Sequence, residues 1–106
     1  MLEHLGNVME MVKKVQQYVG QAEDQLKNER FEVASGDVVK VVVNGQQTIL
    51  SIEINPKYLS ADNGPLIQDL LVTTMNNALN KSREMHQAAM AKLAGDLNLP
   101  NIPGLF

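Results

Sequence analysis

Between Leu2 and Arg30, Leu5, Val8, Val12, Val15, Val19, Ala22 and Leu26 recur at a spacing of 3-4-3-4-3-4. This is an a/d seam sustained over three heptads, and it predicts a helix over 2–30 that lays one stripe against another helix. No proline interrupts the run, and Gly20 lies off the seam. The period then changes to two. Phe31-Glu32-Val33-Ala34-Ser35, Val38-Val39-Lys40-Val41-Val42-Val43 and Thr48-Ile49-Leu50-Ser51-Ile52-Glu53-Ile54 read as strands over 31–35, 38–43 and 48–54. Ser35-Gly36-Asp37 and Asn44-Gly45 supply the turns, the second because both residues tolerate positive φ. In the last strand Leu50, Ile52 and Ile54 should share one face and Ser51 and Glu53 the other. Asn55-Pro56 ends the ladder, since proline has no N–H to continue it.

Asp62-Asn63-Gly64-Pro65 marks a helix start, with an Asx cap ahead of the proline. The stripe Ile67, Leu71, Met75, Ala78, Met85, Ala89 and Leu93 predicts a second helix over 65–94. Gly95 stops it, and the tail 95–106, with Pro100 and Pro103, has no period. The expected fold is α/β of the α+β kind in a single domain over 1–106: long helix, three-stranded antiparallel meander, long helix, irregular Pro-Gly tail. A first helix of that length spans ~43 Å, whereas a six- or seven-residue strand spans only ~20–23 Å. One small sheet therefore leaves part of the seam uncovered, and a three-stranded sheet also has two free edges. Both facts lead to the expectation of a homodimer, with Val8, Val12, Val15, Val39, Val41, Val43 and Phe106 at its interface.

Composition narrows the function classes. The 106 residues are 44% apolar and 20% charged, which describes a folded domain and not a disordered tail. No apolar run approaches the ~20 residues of a membrane span, and no basic-then-apolar leader opens the chain, so a cytosolic protein is expected. Without cysteine there is no disulfide, thiolate nucleophile or Cys-ligated zinc. His4 and His86 have only Glu3 and Glu84 close by in sequence, so surface histidine is the default reading and no metal is expected. Glu84, Asp62 and Asp69 form no acid–base pair, no Gly-rich phosphate loop occurs, and no Ser or Thr has a His at motif spacing. The expectation is a protein that is not an enzyme, with no cofactor, no small-molecule substrate and no membrane partner. Tyr18, Phe31, Tyr58 and Phe106 are scattered, which makes a poor base-stacking surface; Phe31 and Tyr58 read as caps of the core.

The order of elements and five short stretches resemble the YbaB/EbfC family of bacterial nucleoid-associated proteins. These are Gly36 followed by Val39-Lys40-Val41-Val42-Val43-Asn44-Gly45; Ile52-Glu53-Ile54-Asn55-Pro56 with Leu59; Asp69-Leu70-Leu71; Asn76-Asn77-Ala78-Leu79-Asn80-Lys81; and Leu97-Asn98-Leu99-Pro100 with Pro103-Gly104-Leu105-Phe106. The resemblance implies α/β homodimers with joined sheets and projecting helical arms. It also implies duplex DNA as a partner, a place in the cytoplasm on the nucleoid, an influence on gene expression and no catalysis. Two departures lower positive charge: the turn is reduced to Gly36-Asp37, and Glu3 and His4 stand near the N-terminus.

With 9 Lys+Arg against 12 Asp+Glu the net charge is -3, so DNA binding would depend on local cations and not on the overall sum. Lys13, Lys14 and Lys27 take b and c positions away from the seam, although Glu3, Glu10 and Asp24 sit at neighbouring f positions. Lys81 and Lys92 project within ~20° of each other on an ideal helix. The expected phosphate contacts are Lys13, Lys14, Lys27, Arg30, Lys81, Arg83 and Lys92, with Gln16, Gln17 and Gln21 as neutral donors. The competing reading is a dimeric adaptor whose projecting helices bind a protein partner. There the seam and Met9, Met11, Met75, Met85 and Met90 would form the binding groove.

Overall fold

The computed structural model describes residues 2–98. Its elements are α1 (Leu2–Asn28), β1 (Phe31–Ser35), β2 (Val39–Val43), β3 (Ile49–Ile54) and α2 (Gly64–Asp96), with 3-10 turns at Pro56–Tyr58 and Ala61–Asn63 before α2. The strands form one antiparallel sheet in the order β1-β2-β3. This is the expected helix, meander and helix. α2 runs through Gly95 to Asp96, so the expected stop at Gly95 does not occur, and of the expected tail 99–106 lies outside the described residues, and Phe106 with it.

The core lies between the sheet and α2. Val39, Val41 and Val43 alternate inward from the central strand and are fully or almost fully buried. Ile67 and Ala78 of α2 close over them, with Phe31, Val33, Ile49, Ile54, Tyr58 and Leu71 around the margin. Phe31 and Tyr58 thus cap the core as expected. α2 lies across β1 and β2. The inner side of β3 is left partly bare, and Ile52, opposite Val41, is 43% exposed.

Several boundaries and faces differ from the sequence expectation, each for a local reason. α1 ends at Asn28 and not at 30. The Leu26 carbonyl, which a continuing helix would offer to Arg30, instead accepts from the Glu29 N–H (3.3 Å) and the Gly45 N–H (2.8 Å). β2 begins at Val39, because the Val38 N–H closes the preceding turn onto the Ser35 carbonyl at 3.2 Å. In that turn Gly36 has φ +55. β3 begins at Ile49, and an irregularity sets Ile49 opposite Val43 but Ser51 opposite Val42. Leu50 is the extra residue, so it leaves the face of Ile52 and Ile54 and is 41% exposed. The expected Asx cap of α2 does not form: Asn63 makes no side-chain cap bond, and its amide donates to the Tyr58 carbonyl at 2.9 Å.

The turn between β2 and β3 also departs from the expectation for Asn-Gly. Positive φ falls on Gln47 (60°), not on Asn44 or Gly45. The Asn44 side-chain oxygen accepts from the Gln46 N–H at 2.8 Å and the Thr48 N–H at 3.1 Å, folding the loop around itself. Gly45 serves another purpose. A Cβ there would lie 2.7 Å from Leu26 Cδ2 and 2.8 Å from the Leu26 carbonyl oxygen. The glycine lets the loop touch the end of α1.

Candidate nucleic-acid interface

α1 and α2 run antiparallel, and only part of the heptad seam is covered. Leu26 is buried and Val15, Val19 and Ala22 are half-buried, with Ala22 and Leu26 lining a groove shared with Ala89 and Leu93 of α2. Toward the N-terminus Leu5, Val8 and Val12 are 61%, 56% and 48% exposed. The sequence expectation of an overhanging seam therefore holds within this chain. α1 becomes an arm anchored at its C-terminal half.

The basic residues fall into three zones. Lys13 and Lys14 ride on the arm and are exposed. Lys27 and Arg30 stand at the exit of α1, ~21 Å further along the helix axis. Lys81, Arg83 and Lys92 are exposed on α2. Among the described residues none of these seven makes an ion pair. Lys81 lies over the Phe31 ring, 5.9 Å from its centroid, which brings its ammonium near the chain that follows Arg30. The Arg83 guanidinium donates to the Asn80 side-chain oxygen at 2.8 Å. Lys40 differs: its ammonium pairs with Glu53 (3.2 Å) and Glu32 (3.9 Å) across the outer face of the sheet. The hydrogen bond it donates to Glu53, then the charges of Glu32 and Glu53, raise its pKa.

The residues expected at a dimer interface divide in the same way. Val8 and Val12 are exposed and Val15 is half-buried, so the arm retains apolar surface to offer. Val39, Val41 and Val43 do not, because β2 is the central strand and α2 covers their inward face. The free sheet edges are those of β1 and β3. On the β3 side Leu50, Ile52 and Leu59 present 41%, 43% and 60% of their surface.

One polar node had no signal in local sequence spacing. Glu23 of α1 accepts from the Gln46 side-chain amide at 3.0 Å and contacts His86 Nε2 of α2 at 2.6 Å. Burial pushes the Glu23 carboxyl up, but the bonds from His86 and Gln46 and the charge of His86 outweigh it and hold its pKa below the ordinary value. His86 is thus not a bare surface histidine: its partner is the carboxylate 63 residues away, not Glu84. Glu23 occupies an e position beside the seam, where helix pairs place interhelical ion pairs, and that heptad position was the available clue. Among the described residues no group of three or more His, Asp or Glu side chains could hold a metal ion, and no helix is long and apolar enough to cross a membrane.

Comparison with known proteins points the same way. A model of the YbaB/EbfC DNA-binding family matches residues 1–97. A nucleoid-associated protein of Desulforamulus reducens is 43% identical over 104 residues, covering 97% of this chain and 96% of that protein. Nucleoid-associated proteins of Syntrophobacter fumaroxidans and Pelotomaculum thermopropionicum are 39% and 38% identical, with 94% of both chains covered in the first case and 97% and 96% in the second.

Proposed function

The chain belongs to the YbaB/EbfC DNA-binding family, and from that premise we propose that it is a nucleoid-associated protein that works as a cytoplasmic homodimer. It binds duplex DNA through backbone phosphates, organises the nucleoid and modulates gene expression. The observation that carries the reading is the set of exposed cations Lys13, Lys14, Lys27, Arg30, Lys81, Arg83 and Lys92, which no described carboxylate neutralises. Phosphate contact needs local cations, and a net charge of -3 does not remove them. The same sum keeps the number of phosphates engaged small, so binding is modest, weakly specific and salt-sensitive.

The homodimer follows from surface that a single protomer leaves bare. An isolated helical stretch shorter than about 12–15 residues is marginal in water, and the arm's Leu5, Val8 and Val12 have no described cover. A second copy would cover Val8, Val12 and Val15 together with the β3 edge at Leu50, Ile52 and Leu59. The sheet part of the interface is thereby assigned to β3, in place of the core residues Val39, Val41 and Val43.

The test is fluorescence anisotropy of a labelled ~30-bp duplex at low and physiological salt, with the protein's mass measured on the same sample. Saturable binding that weakens with salt supports the reading. Absence of binding at low salt by a verified dimer sinks it. That outcome would favour the adaptor, whose support is the same exposed seam with Met9 and Met11 beside it, 63% and 59% exposed. Charge reversal at Lys13 and Lys14 abolishes DNA binding and spares an adaptor.

A further inference from the structure

We propose that Phe31 is a positioning residue for DNA: its ring holds the Lys81 ammonium where a backbone phosphate can meet it, an inference that rests on the function proposed above. The Lys81 ammonium lies 5.9 Å from the Phe31 ring centroid, within the range over which the negative face of a ring attracts a cation. Both residues stand on fixed backbone. Phe31 opens β1, pairs with Val43 of the buried central strand and packs against the core. Lys81 precedes Ser82, whose buried hydroxyl bonds to the Asn44 carbonyl (2.6 Å) and the Gln47 N–H (2.7 Å) and so fixes α2 at that turn.

Phe31 is half-buried and Lys81 is exposed, so one ring serves the core and the lysine together. A free lysine must give up much of its rotamer freedom to reach a phosphate. Lys81 has surrendered part of that freedom before DNA arrives, and the ring takes only one side of the ammonium, leaving N–H groups for an anion. Among the described residues Lys13, Lys14, Lys27, Arg30 and Lys92 make no ring contact, and Arg83 is held by Asn80 of its own helix.

The place of the contact suits an anion. Arg30 precedes Phe31, and Lys27 lies in the last turn of α1, so the ring brings a cation of α2 to the junction where the last cations of α1 emerge. Of the carboxylates nearest in sequence, Glu29, Glu32 and Glu84, Glu32 is committed to Lys40 at 3.9 Å, and none pairs with Lys81 among the described residues. The other ring contact differs. Lys57 lies 5.6 Å from the Tyr58 centroid, but the Tyr58 hydroxyl donates to the Asp37 carboxylate at 2.8 Å, so an acid stands at the rim of that ring.

The first arm of the test leaves DNA out. In the wild-type protein the Lys81 side-chain methylene protons, read by carbon–proton NMR, should be shifted upfield by the ring relative to those of Lys13 and Lys14. The shift should vanish in Phe31→Leu. The second arm is anisotropy of a labelled duplex at low salt, where Phe31→Leu, folded by circular dichroism, should bind roughly two- to five-fold more weakly, the size of an exposed cation–ring contact. Phe31→Met repeats the measurement should Phe31→Leu fail to fold. Phe31→Tyr, which keeps a ring, should stay near wild type. In a Lys81→Ala background Phe31→Leu should cost nothing further, whereas in a Lys13→Ala background it should cost the full factor. No upfield shift in the wild type, full affinity in Lys81→Ala or in the folded ring-less variant, or an undiminished loss in the Lys81→Ala background overturns the platform while leaving DNA binding itself intact. A wild type that does not bind the duplex sinks the DNA-binding reading and takes the platform with it, even where the NMR shift is present.

Discussion

The Ser82 hydroxyl donates to the Asn44 carbonyl at 2.6 Å and accepts from the Gln47 N–H at 2.7 Å, so one small side chain of α2 closes the loop between β2 and β3. Ser82 and Asn44 are both buried, at 0% and 4% exposure, and water cannot replace either bond without displacing the helix. Ser82→Ala should destabilise the protein by about 1–3 kcal/mol, because a buried carbonyl and a loop N–H lose their partner. Thermal unfolding should register this as a drop of several degrees in Tm. Ser82→Thr, which keeps the hydroxyl, should lose less.

Gly45 is needed for space and not for its backbone angle. Its missing Cβ would meet the Leu26 carbonyl oxygen at 2.8 Å, a backbone atom that cannot rotate away. Gly45→Ala should therefore pry α1 from the loop and cost on the order of 1–3 kcal/mol. Gly20→Ala is the opposite case, a mid-helix glycine with nothing within 4 Å of its Cβ position. It should stabilise by roughly 0.5–1 kcal/mol. Denaturant midpoints of the two variants should move in opposite directions.

The parts of the fold carried by apolar periodicity were legible in the chain: the seam from Leu5 to Leu26, the valine strand, and the stripe through Ile67 and Ala78. That stripe also took in Met85, which is 38% exposed, and passed over Met90, which is buried; most of what else escaped was polar or long-range. Thr74 and Ser82 fill buried positions on α2, Thr74 bonding to the Leu70 carbonyl at 2.6 Å and to the Ser35 hydroxyl. Hydropathy marks such positions as solvent-facing, and their partners across the fold lie dozens of residues away. The irregularity at Leu50 left no mark either, since strict alternation through Ile54 reads equally well with the extra residue or without it. Of the candidate site, the exposure of the α1 cations was foreseeable from heptad position. The different fate of Lys40, paired across strands to Glu32 and Glu53, required the register.

Acid should weaken the contact between the helices through Glu23. Its folded pKa lies below the ordinary 4.5, so the folded state holds this carboxylate deprotonated more strongly than the unfolded chain does. The stabilisation is complete above the unfolded value, and it is lost as pH falls through the depressed folded one. Unfolding free energy should thus decline below about pH 4.5. Glu23→Gln should remove that share of the decline. Denaturant titrations of the two proteins at a series of acidic pH values would show parallel curves if Glu23 contributed nothing.

The sheet offers a paired test of the proposed dimer. Val41 and Ile52 face each other across β2 and β3, yet one is fully buried and the other 43% exposed. Val41→Asp should abolish folding, since it places a carboxylate in the core without a partner. Ile52→Asp should leave the protomer folded by circular dichroism but shift the mass in light scattering from dimer to monomer. A mass unchanged in a folded Ile52→Asp protein would remove the β3 edge from the interface.

Lys13 and Lys40 separate local from global electrostatics, because replacing either with alanine changes the net charge by the same amount. If DNA responded to the protein's overall field, the two variants would lose affinity equally. Engagement of individual phosphates predicts a difference. Lys40 already shares its ammonium between Glu53 and Glu32, so Lys40→Ala should leave both affinity and salt dependence near wild type. Lys13 is exposed and has no described counter-ion, so Lys13→Ala should weaken binding and lower the slope of log K against log salt by about 0.9 for each phosphate no longer neutralised. Lys13→Ala with Lys14→Ala should lower it further, and each change counts twice in a symmetric dimer. Equal slopes for the Lys13 and Lys40 variants would remove the arm from the DNA-facing surface and leave that role to Lys81 and Lys92 on α2.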